Sequence, residues 1–121
     1  MLFRSVVPAW TAIDAIASDF PLLGGRPGTV GDRAGNFTVQ NSDVLLVIGS
    51  RLNIRQVSYN WRSFARAAWI AQVDVDAGEL DKPTVRPHLA VHADAREFLL
   101  ALRGELRRRG WDATRFASWV R

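Results

Sequence analysis

The apolar residues of this chain fall in short blocks separated by glycine, proline and acid clusters. One block, Val44 to Ile48, lies within the stretch DVLLVIGSRL, Asp43–Leu52. Five consecutive apolar residues are too many for a strand with one wet face and too few for a typical helix. They fit a parallel strand buried on both faces. Gly49-Ser50 ends the run, and Arg51 follows just past the carboxyl end, the side on which open α/β sheets bind ligands. A second block, WIAQVDVD over Trp69–Asp76, predicts another strand that closes on acids. Leu89–Val91 predicts a third, short buried strand after a link that Pro83 and Pro87 keep extended.

Helical spacing alternates with these blocks. Asp32–Asn41 predicts a helix with Asp32 as N-cap and with Ala34, Phe37 and Thr38 turned toward the sheet. Ala95 to about Arg109 is the clearest helix. Asp94 and Glu97 form a capping-box pattern, Phe98, Leu99, Leu102 and Leu106 form a stripe, and Gly110 stands at the C′ position. Trp10, Ile13 and Ile16 predict a further helix from Pro8 to Ala17, and Trp61–Ala68 a short one after a loop at Leu52–Asn60. Val6-Val7 and Leu22-Leu23 read as brief extended pieces. Strand and helix therefore alternate about four times, which predicts an α/β, Rossmann-like parallel sheet with helices on both faces.

Composition narrows the class. The 121 residues make one domain or part of one, and 48% hydrophobic content supplies a core. There is no cysteine, hence no disulfide framework and no thiolate metal site. No apolar run reaches the roughly 20 residues of a membrane span, and Arg4, Pro8 and Asp14 interrupt any signal-peptide core. The expectation is a cytoplasmic protein without a membrane partner. The net charge of +4 raises nucleic acid as a ligand, but 16 basic residues include only one lysine, Lys82, as high-GC coding would produce. Their one cluster, Arg107-Arg108-Arg109, falls at a predicted helix C-terminus, where cations complement the macrodipole. We therefore expect no nucleic-acid partner.

Three patterns could carry chemistry. Gly25, Gly28 and Gly31 are spaced G-x-x-G-x-x-G around a Pro27-Gly28 turn, which differs from the G-x-G-x-x-G of dinucleotide folds. A structural loop is expected ahead of a pyrophosphate cradle. Asp74 and Asp76 at a strand end could ligate a metal or accept from a ribose hydroxyl, and capping of the following turn is the simpler reading. His88 and His92 flank a strand without an acid or thiol framework, which favours ordinary hydrogen-bonded histidines over metal ligands.

Taken together, Gly25-Arg26-Pro27-Gly28, Arg33-Ala34-Gly35-Asn36, Asp43–Leu52, Val73-Asp74-Val75-Asp76 and Glu79-Leu80-Asp81-Lys82 resemble the central domain of thiamine-diphosphate-dependent enzymes, acetolactate synthase-like ones above all. The pattern runs from about Val6 to Leu106. The resemblance implies a six-stranded, Rossmann-like middle domain between a pyrimidine-binding and a diphosphate-binding domain. The parent would use thiamine diphosphate and Mg²⁺ to make or break C–C bonds beside a carbonyl, typically in 2-oxo acids, as a homo-oligomer. The family's activating glutamate and its G-D-G…N motif belong to the flanking domains and are not in this chain. Neither a catalytic residue nor a metal ligand is therefore expected within it.

By the same resemblance, Gly25, Gly28, Arg51, Asp74, Asp76 and Asp94 match positions around a cofactor site, which holds FAD in acetolactate synthases. The family's active-site Arg would correspond to Arg55. The acidic pair that precedes that Arg is replaced here by Asn53-Ile54, and the Gly-rich loop carries Arg26-Pro27. A structural domain with a vestigial site is expected ahead of a flavin site. A stand-alone nucleotide- or FAD-binding module is the alternative.

The family's domain begins one strand–helix unit earlier, so the expected fold lacks that unit. Leu2-Phe3-Arg4-Ser5 is also what the end of a common sequencing adapter would encode. The expected organisation is an artefactual leader at 1–5, a partial central domain at 6–109, and a linker at 110–121 toward the diphosphate-binding domain. Exposed aromatics in that linker, Trp111, Phe116 and Trp119, would mark a partner surface.

Overall fold

The computed structural model describes residues 5–112 and 114. Its centre is an all-parallel sheet of three strands, β1 (Val44–Ile48), β2 (Trp69–Asp74) and β3 (Leu89–His92), in the spatial order β1-β2-β3. Val44 pairs with Trp69 and Ile48 with Val73, and then Ala71 with Leu89 and Asp74 with His92. The alternation of strand and helix gives the Rossmann-like α/β architecture expected.

Burial follows position in the sheet. Every residue of β2 after Trp69 is buried, as a strand paired on both sides requires. β1 is only half-buried and β3 mostly exposed, because each has one neighbour. The expectation of full burial therefore holds for the second block and fails for the first and third. A fourth strand is not formed among the described residues. Val6 and Leu23 make only an isolated parallel bridge, in which Val6 N–H donates to Leu22 O at 2.8 Å.

The helices are α1 (Arg33–Gln40), α2 (Ile54–Val57), α3 (Ala77–Leu80) and α4 (Ala95–Arg108). α1 starts where expected, with the Asp32 carboxylate accepting from Gly35 N–H, but its face is rotated. Gly35 and Val39 point inward, whereas Phe37 is 67% exposed and Ala34 lies at the surface. The cause is the close seat of Gly35 on the backbone of Arg26 and Pro27, where a Cβ would lie about 2.6 Å from Pro27 N. Asn36 fixes the same rotation, since its amide both donates to Gly28 O and accepts from Gly28 N–H.

The helix expected over Pro8–Ala17 is a single 3₁₀ turn, Trp10–Ala12, followed by turns. Ala9 offers no side-chain cap, and no residue of the turn itself is buried, so little repays helix nucleation. Trp61–Ala68 likewise yields only a 3₁₀ turn, Trp61–Ser63, because Ala65 takes a φ of 43°. The loop expected at Leu52–Asn60 contains α2, which Asn53 caps. The core joins Val39, Val47, Leu52, Val57, Phe64, Ala65, Ala68, Ile70 and Val85.

α4 matches its expected bounds. Asp94 Oδ1 accepts from Arg96 N–H at 2.8 Å and Glu97 N–H at 3.1 Å. At the other end Gly110 takes a φ of 63°, Trp111 N–H donates to Leu106 O and Gly110 N–H to Arg107 O, a Schellman closure. Its stripe is weaker than expected: Phe98, Leu102 and Leu106 are half-buried and Leu99, at the edge of the arc they span, is 48% exposed. Arg108 and Arg109 both pair with Glu105. Losing the cap in Asp94→Ala should lower stability by about 1 kcal/mol, read from the urea midpoint. Phe116, Trp119 and Met1–Arg4 lie outside the described residues.

Candidate functional site

The carboxyl end of the sheet gathers most of the candidate residues. Gly49, at a φ of 59°, turns the chain out of β1 while its N–H still donates to Val73 O at 2.9 Å. A Cβ on Gly49 would sit 3.4 Å from that of Ala95, which brings this turn against the Asp94 cap. Ser50 Oγ donates to Gln56 Oε1 at 2.7 Å and so joins the turn to α2. Thr29 N–H donates to Arg55 O at 2.7 Å, and Thr29 Oγ1 to the same oxygen, which fastens α2 to the glycine loop. Gly28, Arg51, Asp94 and the Asp74–Asp76 pair thus belong to one contiguous region.

Most of these groups are already engaged by the fold. Asp74 is buried, and its Oδ1 accepts from Asp76 N–H at 3.0 Å. The Asp76 carboxylate caps α3 by accepting from Gly78 N–H at 2.8 Å. Asp94 caps α4. Gly25 and Gly28 provide close approach, but the room is filled by protein. A Cβ on Gly25 would run into Gly35 and Asp32, and one on Gly28 would lie 2.9 Å from Arg55 O. Gly25 packs on the amino end of α1 rather than joining the acids. The two histidines also bind main chain: His88 Nδ1 accepts from Ile70 N–H at 3.0 Å, and His92 Nε2 lies 2.9 Å from Val75 O.

Arg51 is the exception in exposure. Its side chain is 70% exposed, yet Nε donates to Glu79 Oε1 at 2.7 Å and Nη2 lies 2.5 Å from the same oxygen. Glu79, with Asp76 and Asp74 within electrostatic reach, raises the guanidinium further above its ordinary range. Lys82 binds the second oxygen, Oε2, at 2.9 Å. The Lys82 hydrogen bond first, then that of Arg51, holds the Glu79 carboxyl below the ordinary range. Asp32 is lowered by the N–H groups of Gly35 and then Arg26, and Glu105 is lowered to about 2 by Arg108 and Arg109.

A carboxyl whose folded value is depressed adds stability above its unfolded value and loses it as pH falls through the folded one. The urea midpoint should therefore be level above the ordinary value of 4.5 and fall toward about 2. A midpoint that rises on acidification would contradict these assignments.

Glu79, Lys82, Gln56 and Gln72 were not singled out from the sequence as site residues. The Glu79–Lys82 spacing of three on a helical turn was a usable signal. Gln72 was another, as the one amide inside an apolar strand. Its side chain is fully buried in β2, its Nε2 reaches Ser50 O only at 3.5 Å, and its Oε1 has no partner. Replacing such a group by an apolar one of similar size removes a desolvation cost, so Gln72→Leu should be neutral or stabilising by about 1 kcal/mol. Thermal denaturation reads the sign.

Among the described residues no three His, Cys, Asp or Glu side chains converge where a cation could sit. The described residues therefore do not fit Mg²⁺. Two concavities are lined by residues other than Arg51, Asp74, Asp76 and Asp94. One of about 220 Å³ is lined by Trp10, Ile13, Arg26 and Val30 among others, and a more open one of about 330 Å³ by Tyr59–Arg62. No helix among the described residues is long and apolar enough to cross a membrane.

An open parallel α/β sheet with a polar carboxyl end defines the class of this chain. Comparison with known proteins makes it specific: the family model for the thiamine pyrophosphate enzyme central domain matches residues 4–102. The chain belongs to that family, whose parent enzymes use thiamine diphosphate. It is 32% identical over 99 residues to the acetolactate synthase isozyme 2 large subunit of Escherichia coli, covering 82% of this chain and 18% of the relative. It is 32% identical over 120 residues to a probable acetolactate synthase 2, chloroplastic, of Oryza sativa, covering 93% and 18%. A probable acetolactate synthase large subunit of Methanocaldococcus jannaschii is 38% identical over 81 residues, 67% of this chain and 13% of the relative. The chain thus spans less than a fifth of the length of these curated relatives.

Proposed function

We propose that this chain is the middle domain of an acetolactate synthase-like, thiamine diphosphate- and Mg²⁺-dependent enzyme acting on 2-oxo acids. Its work is to join a pyrimidine-binding to a diphosphate-binding domain and to shape the subunit of a cytoplasmic homo-oligomer. It does not catalyse the reaction alone. In this reading residues 6–109 are the domain and 110–121 lead to the diphosphate-binding domain. The free edge of β1 favours pairing with a further strand of the parent enzyme.

One observation carries the scaffolding role. The carboxylates at the sheet's carboxyl end, Asp74, Asp76 and Asp94, are all accepting main-chain N–H groups of the fold itself. The gene tests the reading: its flanking frame should encode a G-D-G…N motif downstream and a glutamate-bearing domain upstream. Stop codons on both sides in the native locus would overturn it.

A second reading is a nucleotide or FAD site formed by Gly25, Gly28, Arg51, Asp74, Asp76 and Asp94. The exposure of the Arg51 guanidinium beside Asp74 and Asp76 favours it. Calorimetric titration with FAD and then ADP tests it. Micromolar binding lost on Asp76→Ala or Arg51→Ala supports a cofactor domain, and no heat from a folded sample leaves the scaffold.

A further inference from the structure

The turn after β1 carries a backbone conformation that its sequence does not favour. Leu52 has a φ of 47° although it is not glycine, and it is only 2% exposed. Left-handed geometry is unfavourable for an L-residue, so it persists where surrounding contacts impose it. Burial of the Leu52 side chain with Val47, Val57 and Phe64 is one such contact. The other comes from 30 residues away. Lys82 Nζ donates to Arg51 O and, at 3.3 Å, to Leu52 O, the two carbonyls that flank and follow the strained position.

The same ammonium binds Glu79 Oε2, and the other Glu79 oxygen holds the Arg51 guanidinium. Glu79 and Lys82 side chains are 14% and 18% exposed, while that of Arg51 is 70% exposed. The Arg51–Glu79 pair, exposed on its arginine side, is worth little as stability. What this one does is fix direction: main chain at Arg51 and Leu52 is tied by Lys82, and the Arg51 head by Glu79. Beyond Leu52 the chain runs through one capping residue, Asn53, into α2, so the same tie sets where that helix begins.

We propose that Lys82 is a positioning residue that holds the strained turn at the carboxyl end of β1 closed, and thereby fixes both the Arg51 side chain and the start of α2. This goes beyond the scaffold reading and does not depend on it, since it makes no assumption about a ligand or a neighbouring domain. Lys82→Met keeps the apolar stem and removes all three donors. Lys82→Arg keeps the charge and donors.

Trypsin reads the turn directly, because the Arg51–Leu52 bond is the tied segment. In the full 121-residue chain, Lys82→Met should raise the initial rate of cleavage after Arg51 by about tenfold. Cleavage after Arg103 in α4 and the far-ultraviolet circular dichroism spectrum should stay as they are, and Lys82→Arg should return the Arg51 rate toward that of the original chain. An unchanged Arg51 rate in folded Lys82→Met overturns the proposal. So does a parallel rise after Arg51 and Arg103, which would make Lys82 a general stability residue. If Lys82→Met does not fold, Glu79→Gln takes its place: it removes the anion that orients both cations. A rise confined to Arg51 supports the proposal and no change overturns it.

Discussion

Gly25→Ala should destabilise the chain by about 3 kcal/mol or more, a large share of what a domain of this size holds. Two costs combine. Gly25 sits at a φ of 104°, which L side chains rarely adopt. The new methyl would also lie 2.8 Å from Gly35 Cα and closer still to Gly35 N and Asp32 Oδ1. Two of those three atoms are backbone, and the third is the N-cap carboxylate of α1, so none can swing aside as a flexible side chain would. Relief would require α1 to move off the loop, with loss of the Gly28–Asn36 pair and of the Asp32 cap. Gly104→Ala is the matched control. It lies within α4 with nothing within 4 Å of its would-be Cβ, and alanine there should stabilise by about 0.5–1 kcal/mol. Urea denaturation of the two variants should thus give opposite signs.

Phe64→Ala should cost about 3 kcal/mol or more. The segment between β1 and β2 lacks a long amphipathic helix. It is built from α2, one 3₁₀ turn and bends, and it reaches the core through Leu52, Val57, Phe64, Ala65 and Ala68. Phe64 is the only aromatic among these anchors. The neighbouring Ala65, at a φ of 43° and 2% exposed, has no room to collapse into the gap. The loss should be concentrated in this crossover, so amide exchange should quicken over residues 54–68 before it does in β2. Uniform acceleration would mean that the crossover and the sheet open as one unit.

The sheet was legible because continuous apolar runs have few other uses in a chain this short. The apolar runs Val44–Ile48 and Trp69–Asp76 gave two strands within a residue or two of their bounds. Caps were legible as well, since Asp32, Asp76 and Asp94 act within three residues of themselves. What depended on distant partners was not. Phe37 reads as an inward residue of α1 until the seat of Gly35 on Arg26-Pro27 fixes the rotation. Trp10, Ile13 and Ile16 have helical spacing, but Trp10 and Ile13 stay largely exposed. The Lys82 tie to Arg51 spans 31 residues, and no local pattern announces it. At the candidate site the sequence picked out acids and glycines by type, whereas their hydrogen bonds reveal that the fold itself uses them.

In the proposed reading this chain is a connecting domain that holds no part of the thiamine cofactor. Calorimetric titration of the folded chain with thiamine diphosphate in the presence of Mg²⁺ tests it most directly. No saturable heat is expected, since in the proposed reading the groups that would hold diphosphate and metal belong to other domains. Saturable binding at micromolar cofactor would contradict it and would place a cofactor site within these 121 residues.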